Sequence, residues 1–235
     1  MPARISALCL ISILALVNTD LALEESSRGE ISAMRMEASP RMLSPQSLFL
    51  REYYWRVMYW QSREDPNDVP FAMSSPSGVL LDEYVALENA AERMSELPVL
   101  VAVLNGFMLG VSKRRYRHDS PADKWPTTAE LFNPLLDGED CDGLELLTYH
   151  YLRRVRGEVG TYRGVFVNRA DSTAHMATVV FNASTSRNPY VVDSTGALGA
   201  RGIKLSDLGE GWELEFFFDE KNVYTLDPFI GEGGK

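Results

Sequence analysis

The sequence predicts an α+β fold, with helices first and an antiparallel β-sheet after them, and three observations carry that expectation. Up to Gly157 the apolar residues recur at helical spacing. Beyond Gly160 they alternate or gather in β-branched runs, and no internal repeat interrupts the order. The chain has 235 residues, 45% hydrophobic and 24% charged, enough apolar material for one core. That balance excludes collagen, low-complexity disorder and multi-span membrane folds. The formal charge of -10 repels phosphate backbones and anionic lipid, so nucleic acid is not an expected partner.

Residues 1–22 read as a signal peptide: Arg4, an apolar stretch from Ile5 to Val17, a polar break at Asn18 and the small Ala22. The apolar stretch is shorter than the roughly 20 residues that span a bilayer, and no later stretch is expected to cross one. Residues 23–45 mix Glu, Ser, Arg, Met and Pro without periodicity and are expected to form a flexible N-terminal segment. Residues 46–235 then make up the folded domain. Removal of the signal takes Cys9 with it and leaves Cys141 as the one thiol of an exported chain, where no internal disulfide can use it.

From Pro45 to Arg63, Phe49, Tyr53, Val57 and Trp60 share one helical face, an aromatic stripe expected in the core. Residues 65–78, rich in Asp, Pro, Ser and Gly, read as a loop. The next helix spans about Asp82 to Leu97, with Tyr84, Leu87, Ala91 and Met94 inward and Pro98 ending it. Val99–Val111 reads as a buried helix broken by the basic segment that follows. Lys113, Arg114, Arg115 and Arg117, and again Arg153, Arg154 and Arg156, are expected on solvated faces. Thr127 or Thr128 caps a short helix through Leu131, and Asn133 to Gly138 closes it. A long helix begins at Asp140-Cys141-Asp142, carries Leu144, Leu147, Leu152 and Val155, and stops near Gly157. YRGVFVN, HMATVVF, YVVD, WELEFFF and NVYTL then read as strands.

A cysteine nucleophile needs a thiolate, a base for its proton and a group that orients the base. Cys141 stands in the first turn of a helix, where unpaired N–H groups and the dipole favour the thiolate. His150 lies about 13 Å further along the same helix at 1.5 Å per residue and is excluded as the base. His118 belongs to the basic loop. His175, opening a strand, is the expected base, and Asp193, ending another, the expected orienter. For the oxyanion, the Cys141 N–H is one donor; Asn105 and Trp125 are side-chain candidates for the second.

With this order of residues, the chain resembles the transglutaminase-like, papain-like cysteine peptidase superfamily. NGFMLGVSKRRYRHDSPADKWPTTAELF followed by DGEDCDGLELLTYHYLRRVRG is similar to the bacterial transglutaminase-like cysteine proteinases, the LapG-type periplasmic proteases. Asn105, Tyr116, Asp119, Trp125, Pro126 and Thr127 or Thr128 fall where that family has such types; Asp140-Cys141 matches its Asp-Cys core and His175-Met176 its His-Met strand. The resemblance implies a papain-like core with the Cys141 helix on the sheet. It also implies Cys141 as nucleophile, His175 as base, Asp193 as orienter, and calcium held by acids near the cysteine. Asp137, Glu139, Asp140 and Asp142 are the oxygen-rich set here, although Gly143 stands where the family carries a second acid. The expectation is an exported, periplasmic or secreted cysteine peptidase acting on a surface protein such as an adhesin. The alternatives are an amide acyltransferase with the same residues and a non-catalytic, calcium-responsive binding module.

Overall fold

The computed structural model describes residues 48–65, 78–118, 124–157, 159–182, 185 and 188–225, with only the backbone for 48–51. The expected signal peptide, the 23–45 segment and Phe49's side chain lie outside what is described. Among the described residues, five helices precede five strands: α1 Leu48–Gln61, α2 Val79–Ala91, α3 Leu97–Arg115, α4 Thr128–Leu131, α5 Cys141–Val155, β1 Gly160–Asn168, β2 Ala174–Phe181, β3 Tyr190–Val192, β4 Trp212–Phe218 and β5 Val223–Tyr224. The strands form one antiparallel sheet in the order β3-β2-β1-β4-β5, so the α+β expectation holds.

Helix boundaries follow local chemistry, with two corrections. Pro98 does not end α2; it sits in the first turn of α3, where its missing N–H would be unpaired anyway. The basic run does not break α3 either. Lys113, Arg114 and Arg115 form its last turn, favoured by the negative end of the helix dipole. Nor are the two basic runs merely solvated. Arg114 and Arg115 both pair with Glu83, Arg153 pairs with Glu220, Arg154 with Glu88, and Arg156 donates to the carbonyls of Met94 and Ser95. By length and composition α3 passes for a membrane-spanning helix. Here Leu100, Leu104, Met108 and Val111 are buried in the core, while Val155, an apolar residue of α5, is exposed.

The sheet has two apolar faces. Val165, Met176, Val180, Val192, Phe216 and Phe218 pack toward the helices. Phe166, Ala177, Val179, Val191 and Phe217 point the other way and are covered by Leu198, Leu205 and Leu208 from the connection between β3 and β4. Strand alternation explains the division, and a register shift of β4 against β1 at Val165/Phe166 keeps both sets aligned.

α5 is joined to the sheet by a fully buried ion pair. Arg163 on β1 donates from Nε to Glu145 Oε2 at 2.7 Å and from Nη2 to the Asp142 carbonyl at 2.7 Å. Thr178 donates to Glu145 Oε1 at 2.9 Å, and the guanidinium lies 4.7 Å from the centre of the Trp60 ring. Burial pushes the Glu145 carboxyl up from its ordinary value, with Arg163 and Thr178 pulling the other way. A second buried chain runs from Glu64 through Thr128 to His150: the Glu64 carboxylate accepts from the Thr128 N–H at 2.9 Å and from its hydroxyl, and that hydroxyl is 2.5 Å from His150 Nε2. Burial lowers the pKa of His150 to about 3, and its ring nitrogen is taken up by the Thr128 hydroxyl.

Removing one half of the Glu145–Arg163 pair strands a charge in the core. Arg163→Met alone is expected to lose about 3–5 kcal/mol in urea unfolding. Arg163→Met with Glu145→Gln is expected to recover part of that loss, which a double-mutant cycle measures.

Candidate active site

α5 starts where expected. Asp140 is its N-cap, accepting from the Asp142 N–H at 3.2 Å, and Cys141 is the first helical residue, half-buried against the helix-side core. Gly143 is dictated by close approach: a Cβ there would stand 2.5 Å from the Glu139 Cβ and 2.6 Å from its Cγ. The Glu139 side chain therefore occupies the space that a second acid after Asp-Cys would need.

His175 is the second residue of β2. Alternation puts it on the face of Ala177 and Val179, opposite the face on which Thr178 meets α5. Its Nε2 is 2.9 Å from Asp193 Oδ1, both side chains are buried, and the Trp212 ring stands edge-on at 6.1 Å. Asp193 follows β3. Its Oδ1 also accepts from the Thr195 N–H at 3.0 Å and hydroxyl at 3.2 Å, and its Oδ2 from the Leu198 N–H at 2.8 Å. Burial alone would raise the Asp193 pKa; the hydrogen bond and charge of His175 and the two backbone donors outweigh it and hold the carboxyl below its ordinary value.

The next residue links this pair to the cysteine helix. Ser194, fully buried, donates from Oγ to the Leu144 carbonyl at 3.3 Å, in the first turn of α5. The structure thus brings His175 and Asp193 into contact and draws the start of the Cys141 helix to the same end of the sheet. With Nε2 engaged by Asp193, Nδ1 is the imidazole nitrogen through which His175 would exchange a proton with a thiol.

Two expectations need correction. Asn105 is not a free side chain here: one N–H of its Nδ2 donates to the Val191 carbonyl at 3.0 Å and its Oδ1 accepts from the Asp193 N–H at 2.8 Å, so both amide ends serve β3. Trp125 is buried and stacks on Phe218 at 5.7 Å, a core residue. The four-acid calcium set does not assemble either. Asp140 and Asp142 converge with Cys141, their ligand atoms within 4.8 Å of one another, but Asp137 is exposed and faces Arg117 at 4.0 Å, and Glu139 packs over Gly143 outside the group. Calcium takes about six to eight oxygens, and two carboxylates beside a soft thiol supply a minority of them, so these residues do not by themselves form a calcium cage.

Sequence reasoning missed Ser194 and Thr195, whose hydroxyls read only as turn residues. It also missed Arg163, which alternation alone would have placed in the strand as an ordinary inward residue.

No family model and no curated protein matches this chain. Among solved structures it is similar to Legionella pneumophila LapG. The EGTA-treated form has a TM-score of 0.49 at 16% identity, covering 73% of this chain and 86% of that one. The calcium-bound form has a TM-score of 0.48 at 17% identity, covering 72% and 86%, and a third LapG structure 0.47 at 17%, covering 72% and 84%.

Asp193→Asn is expected to cost about 1–3 kcal/mol, the range for a buried group losing its hydrogen-bond partner. Because the folded pKa of Asp193 lies below 3.8, the difference from wild type is full above that value and shrinks as pH falls through the folded pKa; urea unfolding at a series of pH values checks it. Any change in Tm caused by calcium is expected to be the same in Asp137→Asn as in wild type; a different response in the variant would put that carboxylate at the ion.

Proposed function

We propose that the protein is an exported cysteine peptidase of the LapG type, with Cys141 as nucleophile, His175 as base and Asp193 as the group that orients it. Its substrate is a periplasmic or cell-surface protein, of which an adhesin is the example the resemblance supplies. The observation that carries this reading is the buried His175–Asp193 hydrogen bond at the end of the sheet to which Ser194 ties the cysteine helix.

In this reading His175 takes the thiol proton on Nδ1, and the imidazolium is stabilised by Asp193 across Nε2. The Cys141 sulfur attacks the peptide carbonyl carbon, and the developing oxyanion accepts from the Cys141 N–H at the helix start. Collapse breaks the C–N bond, His175 returns its proton to the leaving amine, and a thioester remains. His175 then deprotonates a water that attacks the thioester, releasing the acid and restoring the thiol. Asp193 needs no proton at any step, which suits a carboxyl held below its ordinary pKa. No step requires a metal ion.

The test is iodoacetamide alkylation of Cys141 as a function of pH in the full chain, comparing wild type with His175→Ala, each with calcium and with chelator. An apparent thiol pKa well below the free value of about 8.5, restored toward it by His175→Ala, is the expected result. Slow alkylation that ignores the mutation would leave a non-catalytic domain.

A further inference from the structure

Asp193 lies one residue past the last β2–β3 pair, Thr178 with Val192, so sheet pairing does not hold its backbone. On the outer edge of β3, Val191 donates its N–H to the Ile203 carbonyl at 2.8 Å, and Leu205 donates to the Pro189 carbonyl at 2.9 Å. That supporting strand reaches no further. The groups next in line, the Val191 carbonyl and the Asp193 N–H, are both met by one side chain, Asn105 of α3.

A primary amide is planar and carries one acceptor and a donor group, so it can stand in for a peptide unit of a neighbouring strand. Asn105 does this at 3.0 and 2.8 Å on the two sides of Val192, with donor and acceptor matched to the backbone groups. Asn105 is also the only polar residue between Leu97 and Val111. An amide in so apolar a helix is costly unless bonded, and here both of its ends are.

We infer that Asn105 is a positioning residue for the catalytic pair: it extends the edge of the sheet by one residue and so sets where the Asp193 carboxylate meets His175. This rests on the reading of His175 and Asp193 as base and orienter. The carboxylate is fixed to its own turn by Thr195 and Leu198, and the turn to α5 by Ser194; among the described residues it is Asn105 that fixes the Asp193 backbone to α3. Without it the turn loses its anchor beside β3, and the 2.9 Å contact with Nε2 becomes one of several geometries.

The test is proton NMR of the full chain at neutral pH, following the His175 Nε2–H resonance, assigned by its absence in His175→Ala. Wild type is expected to show a slowly exchanging downfield signal, as a buried N–H bonded to carboxylate does. Asn105→Ala is expected to broaden that signal or lose it while other resonances remain dispersed. The apparent pKa of Cys141 alkylation should rise by about one unit, which is a tenfold fall in rate at pH values well below the wild-type pKa. Should Asn105→Ala fail to fold, Asn105→Ser, which leaves one hydroxyl for the two backbone groups, is judged by the same signal. An unchanged His175 signal in either folded variant overturns the inference, as does its absence from wild type. A merely structural role would lower Tm and leave both the signal and the alkylation profile in place. Failure of the proposed function shows separately, as wild-type alkylation indifferent to His175→Ala.

Discussion

The buried pair of Glu145 and Arg163 is the constraint around which the helical layer and the sheet are assembled. Each charge leaves water completely, and each is compensated by more than its partner: Arg163 by the Asp142 carbonyl and the Trp60 ring, Glu145 by the Thr178 hydroxyl. These contacts reach α1, α5, β1 and β2. An apolar interface would tolerate α5 sliding along the sheet by a fraction of a turn, because dispersion and burial are non-directional. Hydrogen bonds of 2.7 Å from one guanidinium to a helical carboxylate and to a first-turn carbonyl do not tolerate it. The position of the α5 N-terminus, and so of Cys141, is set by this pair.

The His175–Asp193 pair is held differently. His175 sits inside a regular strand, flanked by β1 through its partner Phe166, whereas Asp193 lies beyond the end of a three-residue edge strand. Among the described residues, what orders Asp193 besides His175 comes from side chains and its own turn: Asn105 from α3, Thr195 and Leu198 from the turn, and Ser194 reaching α5. A rigid partner and a strapped one meet at one hydrogen bond. The arrangement concentrates the accuracy of the site in a few polar contacts outside the regular secondary structure.

Much of this architecture was legible in the sequence because it rests on local rules. The change from helical to alternating pattern near Gly157 gave the order of layers, Thr127, one of the two expected caps, capped the short helix, and Asp140 capped the helix that begins with Cys141. The misreadings share a physical cause. Pro98 marks a helix start as readily as an end, and only the preceding turn distinguishes them. Asn105 reads as a free donor until the strand it bonds, some 86 residues later, is known. Asp137, Glu139, Asp140 and Asp142 are neighbours in sequence, but only Asp140 and Asp142 converge beside Cys141, while Asp137 turns to Arg117 and Glu139 packs over Gly143.

The contact of Glu139 with Gly143 also orders the evolutionary routes open to the site. An acidic side chain at 143 has no room while Glu139 retains its Cβ and Cγ in that space. A side chain at position 143 needs position 139 to give up its Cβ or its loop to shift, because the nearest obstructing atom is the Glu139 Cβ itself. The Asp-Cys-Asp-Gly sequence is thereby kept in place by a residue of the preceding loop, so that the two positions change in sequence or together.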